Sequence, residues 1–278
     1  RNSPNMAYTI MGVAYRIAIG LGLHRQLPNL SATPDLRVGT CRPQIRRRIW
    51  WSLFCLDTWG SMTLGRPTLG RWEPETMNVP SAREGENSDP SVRSLDFAVA
   101  FCMIATRVQH RFAQLSPITT NEIETYDLEV QNWYQSLPQE FRNLDECPTG
   151  LLSAQHIMRN RYFNLRLLLY RPMLLRYANC KVPFDSLPLK EQDAIARCRD
   201  IACEAIDRVA SATHSLDKLR FWSAVWYLYQ ASMVLLLSIL VDPTHPESTK
   251  WRGSIERALL LFECAVPWSI AAGRSRQV

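Results

Sequence analysis

Residues 43–57 read Pro-Gln-Ile-Arg-Arg-Arg-Ile-Trp-Trp-Ser-Leu-Phe-Cys-Leu-Asp. The aliphatic residues recur at intervals of three and four, the spacing of one helix face; they are Ile45, Ile49, Leu53 and Leu56. Pro43 suits the first turn of a helix, because the N–H that proline lacks would have no intrahelical acceptor there. The stretch therefore predicts an amphipathic helix. Its candidate core residues are Trp50, Trp51, Leu53 and Leu56.

Two glycine-containing segments flank this helix. Leu64-Gly65-Arg66-Pro67 follows it, and a glycine with a proline ends a helix abruptly and fixes the arginine at the corner. Leu21-Gly22-Leu23-His24-Arg25 closes an earlier predicted helix that opens at Ser3-Pro4. The apolar residues of that first helix are Ala7, Ile10, Ala14, Ile17 and Leu21. We interpret His24 as a cap, because the dipole favours a cation at a helix C-terminus.

The arginine triplet Arg46, Arg47 and Arg48 stands close to a helix start, where cations oppose the helix dipole. Successive residues point about 100° apart around a helix, so one partner cannot satisfy all three. We therefore expect at least one of them to pair with an acid beyond residue 90. The candidates are Asp96, Glu122 and Asp127.

Asp57 is the only acid between Asp35 and Glu73. Arg48 precedes it by nine residues, about 13 Å along a helix, which is too far for a direct bond. We expect Asp57 to pair with an arginine outside its own helix. The candidates are Arg66, Arg16 and Arg25.

Charge is unevenly distributed along the 278 residues, which carry a net charge of +6. Residues 1–71 hold ten arginines and only two acids, Asp35 and Asp57. Such a surplus is typical of a nucleic-acid-binding surface, and equally of arginines that pair with acids from later helices. These arginines stand among tryptophans and leucines, which favours pairing.

Patterns in the rest of the chain are also helical. A helix follows Asp89-Pro90, and Thr119-Thr120-Asn121-Glu122 fits a capping box before the next one. Further helices are predicted at about 153–177, 188–217, 220–241 and 250–266, and Pro172 should kink or end the first of these. No run alternates with period two, so no sheet is predicted. The fold class is all-α, a single multi-helix domain over residues 1–278. Its loops are predicted at 26–42, 138–150, 242–249 and, longest and rich in proline, at about 66–91.

Residues 221–241 contain no charge and are numerous enough to span a bilayer. The segment also contains three serines, a glutamine and two tyrosines, and the chain has no second segment of this kind. These features favour a central buried helix over a membrane anchor, and we expect no membrane partner.

Sequence signals for catalysis or metal binding are missing. The eight cysteines form no Cys-x-x-Cys pair and the five histidines are scattered, so we expect free thiols, a reducing compartment and no metal or cofactor in this chain. No phosphate-binding glycine loop or nucleophile elbow is present, and we expect no enzymatic activity. One acidic cluster is interpreted as a solvated helix face opposite the stripe of residues 123–130. It contains Glu122, Glu124, Asp127 and Glu129.

The ordered set Leu21-Gly22-Leu23-His24-Arg25, Arg46 to Asp57 and Leu64-Gly65-Arg66-Pro67 closely resembles the signature of the fungal-specific transcription factor domain. Tyr162-Phe163 with Leu168-Leu169-Tyr170-Arg171-Pro172 is similar to that family's second block. The aromatic and leucine-rich helix from Phe221 is similar to its third. One departure is visible, because Gln44 stands near the place where the family usually has a glutamate. The signature residues that the resemblance marks as structural or regulatory are Leu21, Gly22, His24, Arg46, Arg47, Arg48, Trp50, Trp51, Asp57, Gly65, Arg66, Pro67, Arg171 and Pro172.

The resemblance implies a regulatory middle region taken from a longer nuclear protein that controls transcription by RNA polymerase II. Family members bind DNA through an N-terminal zinc cluster, often as dimers, and usually carry an acidic activation region near the C-terminus. DNA binding and zinc are therefore expected in the parent protein and not in these residues.

Two functions fit such a region. The first is a response to a small-molecule effector held among the helices, and the ligand-binding residues are then unknown. The alternative is an interaction module that binds a coregulator or masks the activation region of the parent. An enclosed apolar cavity would favour the first, and an exposed apolar patch would favour the second.

Overall fold

The structure is a computed structural model that describes residues 4–25, 43–69, 90–143, 147–180, 182–211, 218–267 and 269–277. The chain divides into two compact units, Arg1–Leu115 and Ser116–Val278, called unit 1 and unit 2. Each unit is described by itself.

Helices account for all the regular structure in these ranges, which confirms the all-α fold class. Unit 1 contains α1 Pro4–Gly20, α2 Pro43–Leu64 and α3 Pro90–Phe112. Unit 2 contains α4 Thr120–Ser136, α5 Gln139–Arg142, α6 Leu152–Cys180, α7 Leu189–Ser211, α8 Lys218–Val241, α9 Ser248–Ala265 and α10 Ile270–Ser275. Most of the proline-rich segment predicted as a loop at 66–91 lies outside the described residues, and the assignment of residues 1–278 to one domain stays a prediction.

In unit 1, α2 packs against both α1 and α3. The core side chains are aromatic residues of α2 and apolar residues of α3, all essentially inaccessible to solvent; they include Trp51, Phe54, Val99, Phe101 and Cys102. Fully burying one such side chain stabilises a fold by about 1.5–3 kcal/mol. These contacts position α2, which carries most of the sequence signature.

The apolar stripes predicted for α1 and α2 are not the core faces of these helices. Ile10 and Leu21 of α1 are 61% and 63% exposed, whereas Tyr15 and Ala18 are buried. Leu56 of α2, predicted to be core, is 45% exposed, and Leu53 is half-buried. Trp50 and Trp51 are buried as predicted.

The physical reason in α2 is that polar side chains occupy part of the buried face. Asp57 and Ser61 are buried because they hydrogen-bond to the backbone that follows the helix. That backbone lies at residues 67–69. The periodicity of the aliphatic residues alone therefore predicted the wrong face of α2 to be buried.

In unit 2, the long helices α6, α7, α8 and α9 pack against one another in sequence, and α4 packs on α6. The predicted capping box starts α4: the Glu122 N–H donates to Thr119 Oγ1 at 3.3 Å, and the Thr119 N–H donates to Glu122 Oε2 at 2.8 Å. The helices predicted from residue 153 onward all form, with their described bounds within a few residues of the prediction. Residues 212–217, predicted as the end of the helix that begins at 188, lie outside the described residues.

Pro172 does not end α6, which continues to Cys180. Proline removes one backbone hydrogen bond inside a helix. The neighbours Leu169, Tyr170, Met173 and Leu174 are all buried in unit 2, and this packing holds the helix together on both sides of the proline.

The long uncharged helix α8 is buried on one face only. Ala224, Leu228 and Leu235 are buried, whereas Leu240 is 78% exposed. By length and composition alone, its window Ala224–Val241 is apolar enough to cross a membrane, and 44% of that window is buried inside unit 2. The expectation of a central buried helix holds for this one face.

Candidate functional site

The first part of the signature closes α1 and fixes it to α2. Gly22 has a φ of +65°, which side chains rarely adopt, and the Leu23 N–H donates to the Ala18 carbonyl at 2.9 Å. This is the glycine-dependent termination known as the Schellman motif. The Arg46 guanidinium donates to the carbonyl oxygens of Leu21 at 3.1 Å and Gly22 at 2.8 Å. Arg46 therefore places its cation at the negative end of the α1 dipole.

Gly65 and Arg66 repeat this arrangement at the end of α2. Gly65 has a φ of +64°, and the Arg66 N–H donates to the Ser61 carbonyl at 2.9 Å. The Arg66 guanidinium lies 4.7 Å above the Tyr8 ring and donates to Asn5 Oδ1. The Tyr8 hydroxyl in turn donates to the Pro67 carbonyl at 2.9 Å. The corner thereby binds the first turn of α1.

Asp57 is 1% exposed, and its Oδ2 accepts the Leu69 N–H at 2.7 Å. The expectation that it pairs with Arg66, Arg16 or Arg25 is wrong. Arg66 goes to α1, as described above, and Arg25 donates to His24 Nε2 at 3.3 Å. The described hydrogen bond of this carboxylate comes from the Leu69 backbone N–H.

The aromatic residues of the signature pack at the same junction. Trp50 lies with its ring centroid 5.1 Å from that of Tyr15 and 5.8 Å from that of His24, and Trp51 packs edge-on against Phe54. Arg47 and Arg48 are half-buried on α2. The first signature block therefore forms one cluster in unit 1 that joins α1, α2 and the corner at 65–69.

Arg171 and Pro172 lie in unit 2. The half-buried Arg171 guanidinium donates to Gln230 Oε1 of α8 at 2.6 Å. Burial lowers the pKa of Arg171 from its ordinary value. The second signature block therefore connects α6 to α8, the helix that resembles the third block.

Asp127 is a buried polar residue that the sequence analysis misplaced. It is 1% exposed and accepts two hydrogen bonds from Arg166, at 2.5 and 3.1 Å, besides one each from Tyr170 and Gln131. The interpretation of this acid as part of a solvated face, and its suggested pairing with the arginine triplet, are both wrong. Asp127 follows Ile123 by four residues, so it lies on the buried face and not opposite it.

A second network, centred on Arg199 of α7, has no sequence signal. Arg199 is buried, forms an ion pair with Asp242 and donates to Ser238 Oγ at 3.3 Å. Its guanidinium lies 4.6 Å from the centroid of the Trp251 ring. Arg199 lies on α7, and its partners come from α8, the segment after α8 and α9, so no local spacing could have predicted them.

The buried polar face of α6 is the third feature of unit 2. Gln155 is 0% exposed and Arg159 is 3% exposed. Neither amide atom of Gln155 has a hydrogen-bond partner, and neither does Nε of Arg159. Arg159 makes one contact of 3.3 Å, between its guanidinium and His156 Nδ1. An unsatisfied buried polar group costs about 1–3 kcal/mol, so such a group needs an explanation.

Metal-ligating residues do not converge anywhere in the described ranges, since no group of three His, Cys, Asp or Glu side chains is close enough to hold an ion. Seven cysteines are described, and all seven are free thiols. The fully buried Cys198 has a pKa raised by desolvation to about 12, which makes its thiol a packing group and not a nucleophile.

Comparison with known proteins gives one family. The profile described as the fungal specific transcription factor domain matches residues 1–144. The chain is 25% identical to the lactose regulatory protein LAC9 of Kluyveromyces lactis over 259 residues, which are 88% of this chain and 27% of that protein. It is 24% identical to the sorbicillinoid biosynthetic cluster transcription factor 2 of Penicillium rubens over 293 residues, 96% of this chain and 42% of that protein. It is also 24% identical to the activator of stress genes 1 of Saccharomyces cerevisiae over 254 residues, 84% of this chain and 25% of that protein.

The chain thus spans between a quarter and about two fifths of the length of these relatives. No solved structure matches it.

Proposed function

Because this chain belongs to the fungal specific transcription factor domain family, we propose that it is the effector-responsive regulatory region of a zinc-cluster transcription factor. The relatives carry the names of regulatory proteins and transcription factors, so a role in transcription regulation is the coarse conclusion. The finer proposal is that a small molecule held within the helices of this region changes the activity of the whole protein.

The observation that carries this proposal is the buried polar face of α6. The first signature block is occupied with holding α1 and the corner at 65–69 to α2, through Arg46, Asp57 and Arg66. On the polar face of α6 in unit 2, both amide atoms of Gln155 and the Nε of Arg159 are buried without a hydrogen-bond partner. Small-molecule sites combine an enclosed apolar lining with a few polar anchors.

The whole protein is proposed to act in the nucleus and to contact DNA through a zinc-cluster domain that precedes this region. Zinc belongs to that domain in this proposal. Transcriptional coregulators are proposed as partners of the whole protein.

A thermal-shift screen of this chain against metabolites and xenobiotics tests the effector proposal. A ligand at 100 times its dissociation constant stabilises the folded state by about 2.7 kcal/mol, which raises the Tm of a chain of this size by roughly 5–10 °C. We expect at least one compound to do so and to change reporter expression driven by the parent protein. A library that stabilises neither unit, with a reporter that no compound alters, would contradict the proposal.

An exposed apolar face on α1 favours the alternative function, a protein-interaction module. Met6, Ile10, Val13 and Ile17 follow one another at intervals of four and three, and each is more than half exposed. Such a stripe on a chain of net charge +6 fits the acidic activation region that family members usually carry.

The test of this alternative is calorimetric titration of the chain with that region of the parent. Replacing Ile10 and Ile17 by serine should leave the Tm unchanged, because both are exposed, and should weaken binding at least tenfold. The matched control is Leu128→Ser, an equally exposed leucine on α4 of unit 2 that should not change binding. Unchanged binding by the α1 variant would exclude this face as the docking site.

A further inference from the structure

One face of α6 carries two arginines, of which only one pairs with a carboxylate of the described residues. Gln155, Arg159, Tyr162 and Arg166 are spaced four, three and four residues apart, so they follow one another along the same side of the helix. Arg166 meets the carboxylate of Asp127 in a two-pronged contact and also donates to the Tyr162 hydroxyl at 3.0 Å. Arg159 meets no carboxylate among the residues that the structure describes, although it is the more buried of the two.

The groups around Arg159 leave it with surplus positive charge. Burial is the largest influence on its pKa and lowers it, the Tyr134 hydroxyl acts in the opposite direction, and Arg208 of α7 lowers it further. Glu204 of α7, which acts electrostatically on Tyr134 and Tyr162, is about half exposed and is paired with Arg208 at 3.5 Å. A buried guanidinium without a counter-ion is costly, and an arginine fork matches a carboxylate in shape.

The rings of Tyr134 and Tyr162 are stacked, with centroids 4.2 Å apart, and they line one side of the position of Arg159. Gln155 precedes Arg159 by one helical turn, which brings the two Cβ atoms to about 5–6 Å from each other. Both amide atoms of Gln155 remain without a partner, so a donor and an acceptor stand beside the cation. The set comprises a fork of N–H donors, an amide and an aromatic wall.

We propose that Arg159 and Gln155 form a binding site for the carboxylate group of a small organic acid. The ligand carboxylate pairs with Arg159 as the Asp127 carboxylate pairs with Arg166. This inference rests on the proposed effector response and names the chemical class of the effector. Arg159 binds the carboxylate, Gln155 binds a polar substituent next to it, and Tyr134 contacts the body of the ligand.

The first experiment needs no ligand. Gln155→Glu places a carboxylate one turn before Arg159, where that pair geometry is favourable. We expect the urea midpoint of this variant at pH 7 to equal or exceed that of the native chain, because the new carboxylate meets a lone cation. The matched control is Gln155→Glu combined with Arg159→Gln, which buries the same carboxylate without its cation and should lower the midpoint below both. A fall of the midpoint in Gln155→Glu alone would overturn the proposal.

The second experiment uses sodium benzoate, sodium acetate and inorganic phosphate as probes in thermal-shift and calorimetric titrations. Benzoate should bind the native chain more tightly than acetate does, and Arg159→Met should weaken benzoate binding at least tenfold. Arg159→Met should also leave the urea midpoint unchanged or raised, since it removes an uncompensated buried charge. A lowered midpoint with unchanged benzoate binding would mean that Arg159 is structural. Binding of phosphate alone would overturn the assignment to carboxylates.

These outcomes are separable from a failure of the proposed function. An effector found by the metabolite screen that still binds the Arg159→Met variant would refute this site and leave the effector response standing. A reporter that responds to no compound would refute the effector response, whatever benzoate does in the titrations.

Discussion

The buried charge of Asp127 in unit 2 has a counter-ion that the chain itself supplies. Asp127 and Arg166 come from helices 39 residues apart in sequence, and two further side chains complete the hydrogen bonds of the carboxylate. Removing one member of a buried pair leaves the other charged in a poorly solvating interior, and this costs more than the pair itself contributes.

We expect Asp127→Asn to destabilise unit 2 by about 3–5 kcal/mol, because it leaves the Arg166 guanidinium without its carboxylate. Urea denaturation at pH 7 measures the change. The control on the same helix is the exposed Glu124, and Glu124→Gln should change the free energy of unfolding by less than about 0.5 kcal/mol. Equal midpoints for the two variants would show that the Asp127 network contributes little.

Alkaline pH should weaken the folded state through Tyr177. Burial and the hydrogen bond that its hydroxyl donates to Asp242 raise the pKa of Tyr177 from 10 to about 12. Between these two values the unfolded chain releases the phenol proton while the folded chain retains it, so the free energy of unfolding falls as pH rises.

Urea midpoints measured between pH 9 and 12 follow this fall in the free energy of unfolding. The fall should be shallower in Tyr177→Phe than in the native chain. Tyr227→Phe serves as the control, because its hydroxyl makes no hydrogen bond to a described residue. Identical slopes for all three proteins would refute the role of Tyr177.

Helix ends show how single residues define elements in this protein. α1 and α2 are each followed by a glycine with positive φ. Arg46 donates to the free carbonyls at the end of α1, and Arg66, next to the glycine after α2, donates to Asn5 of α1. In α6, by contrast, a proline lies within a helix that continues past it, because buried neighbours on both sides hold the backbone.

We expect Gly22→Ala and Gly65→Ala each to destabilise unit 1 by about 1–2 kcal/mol, the usual cost of a left-handed backbone for a residue with a Cβ. Neither position is sterically closed: the nearest atom to a Cβ at Gly22 would be an Arg46 nitrogen at 3.7 Å. Gly60→Ala, inside α2 with open space around it, should instead stabilise the helix by about 0.5–1 kcal/mol. Calorimetric unfolding of the three variants checks the opposite signs.

Across the whole molecule, the arginine surplus of residues 1–71 is used at least partly for internal contacts. Arg46 and Arg66 both donate to α1, and these contacts reduce the charge available for a polyanion. Nonspecific DNA binding depends on free cations on the surface and weakens steeply with salt.

We therefore expect residues 1–278 alone to bind duplex DNA weakly and without sequence preference. Fluorescence anisotropy with several duplexes of different sequence, at 50 and 200 mM salt, measures this. Submicromolar affinity at the higher salt, with one duplex preferred over the others, would place a DNA-reading surface within these residues.

The amino-acid sequence by itself determined the helices, the capping box of α4 and the family signature. Those features depend on residues within one or two turns of each other, and local spacing records them directly. Only the tertiary structure decided which face of α2 is buried, that Asp127 lies in the core, and that Arg199 meets Asp242 and Trp251. It also decided that Asp57 bonds to a backbone N–H and that Arg159 pairs with no carboxylate of the described residues. Each of these depends on which helices pack together, and a buried polar side chain is placed by partners far away in sequence.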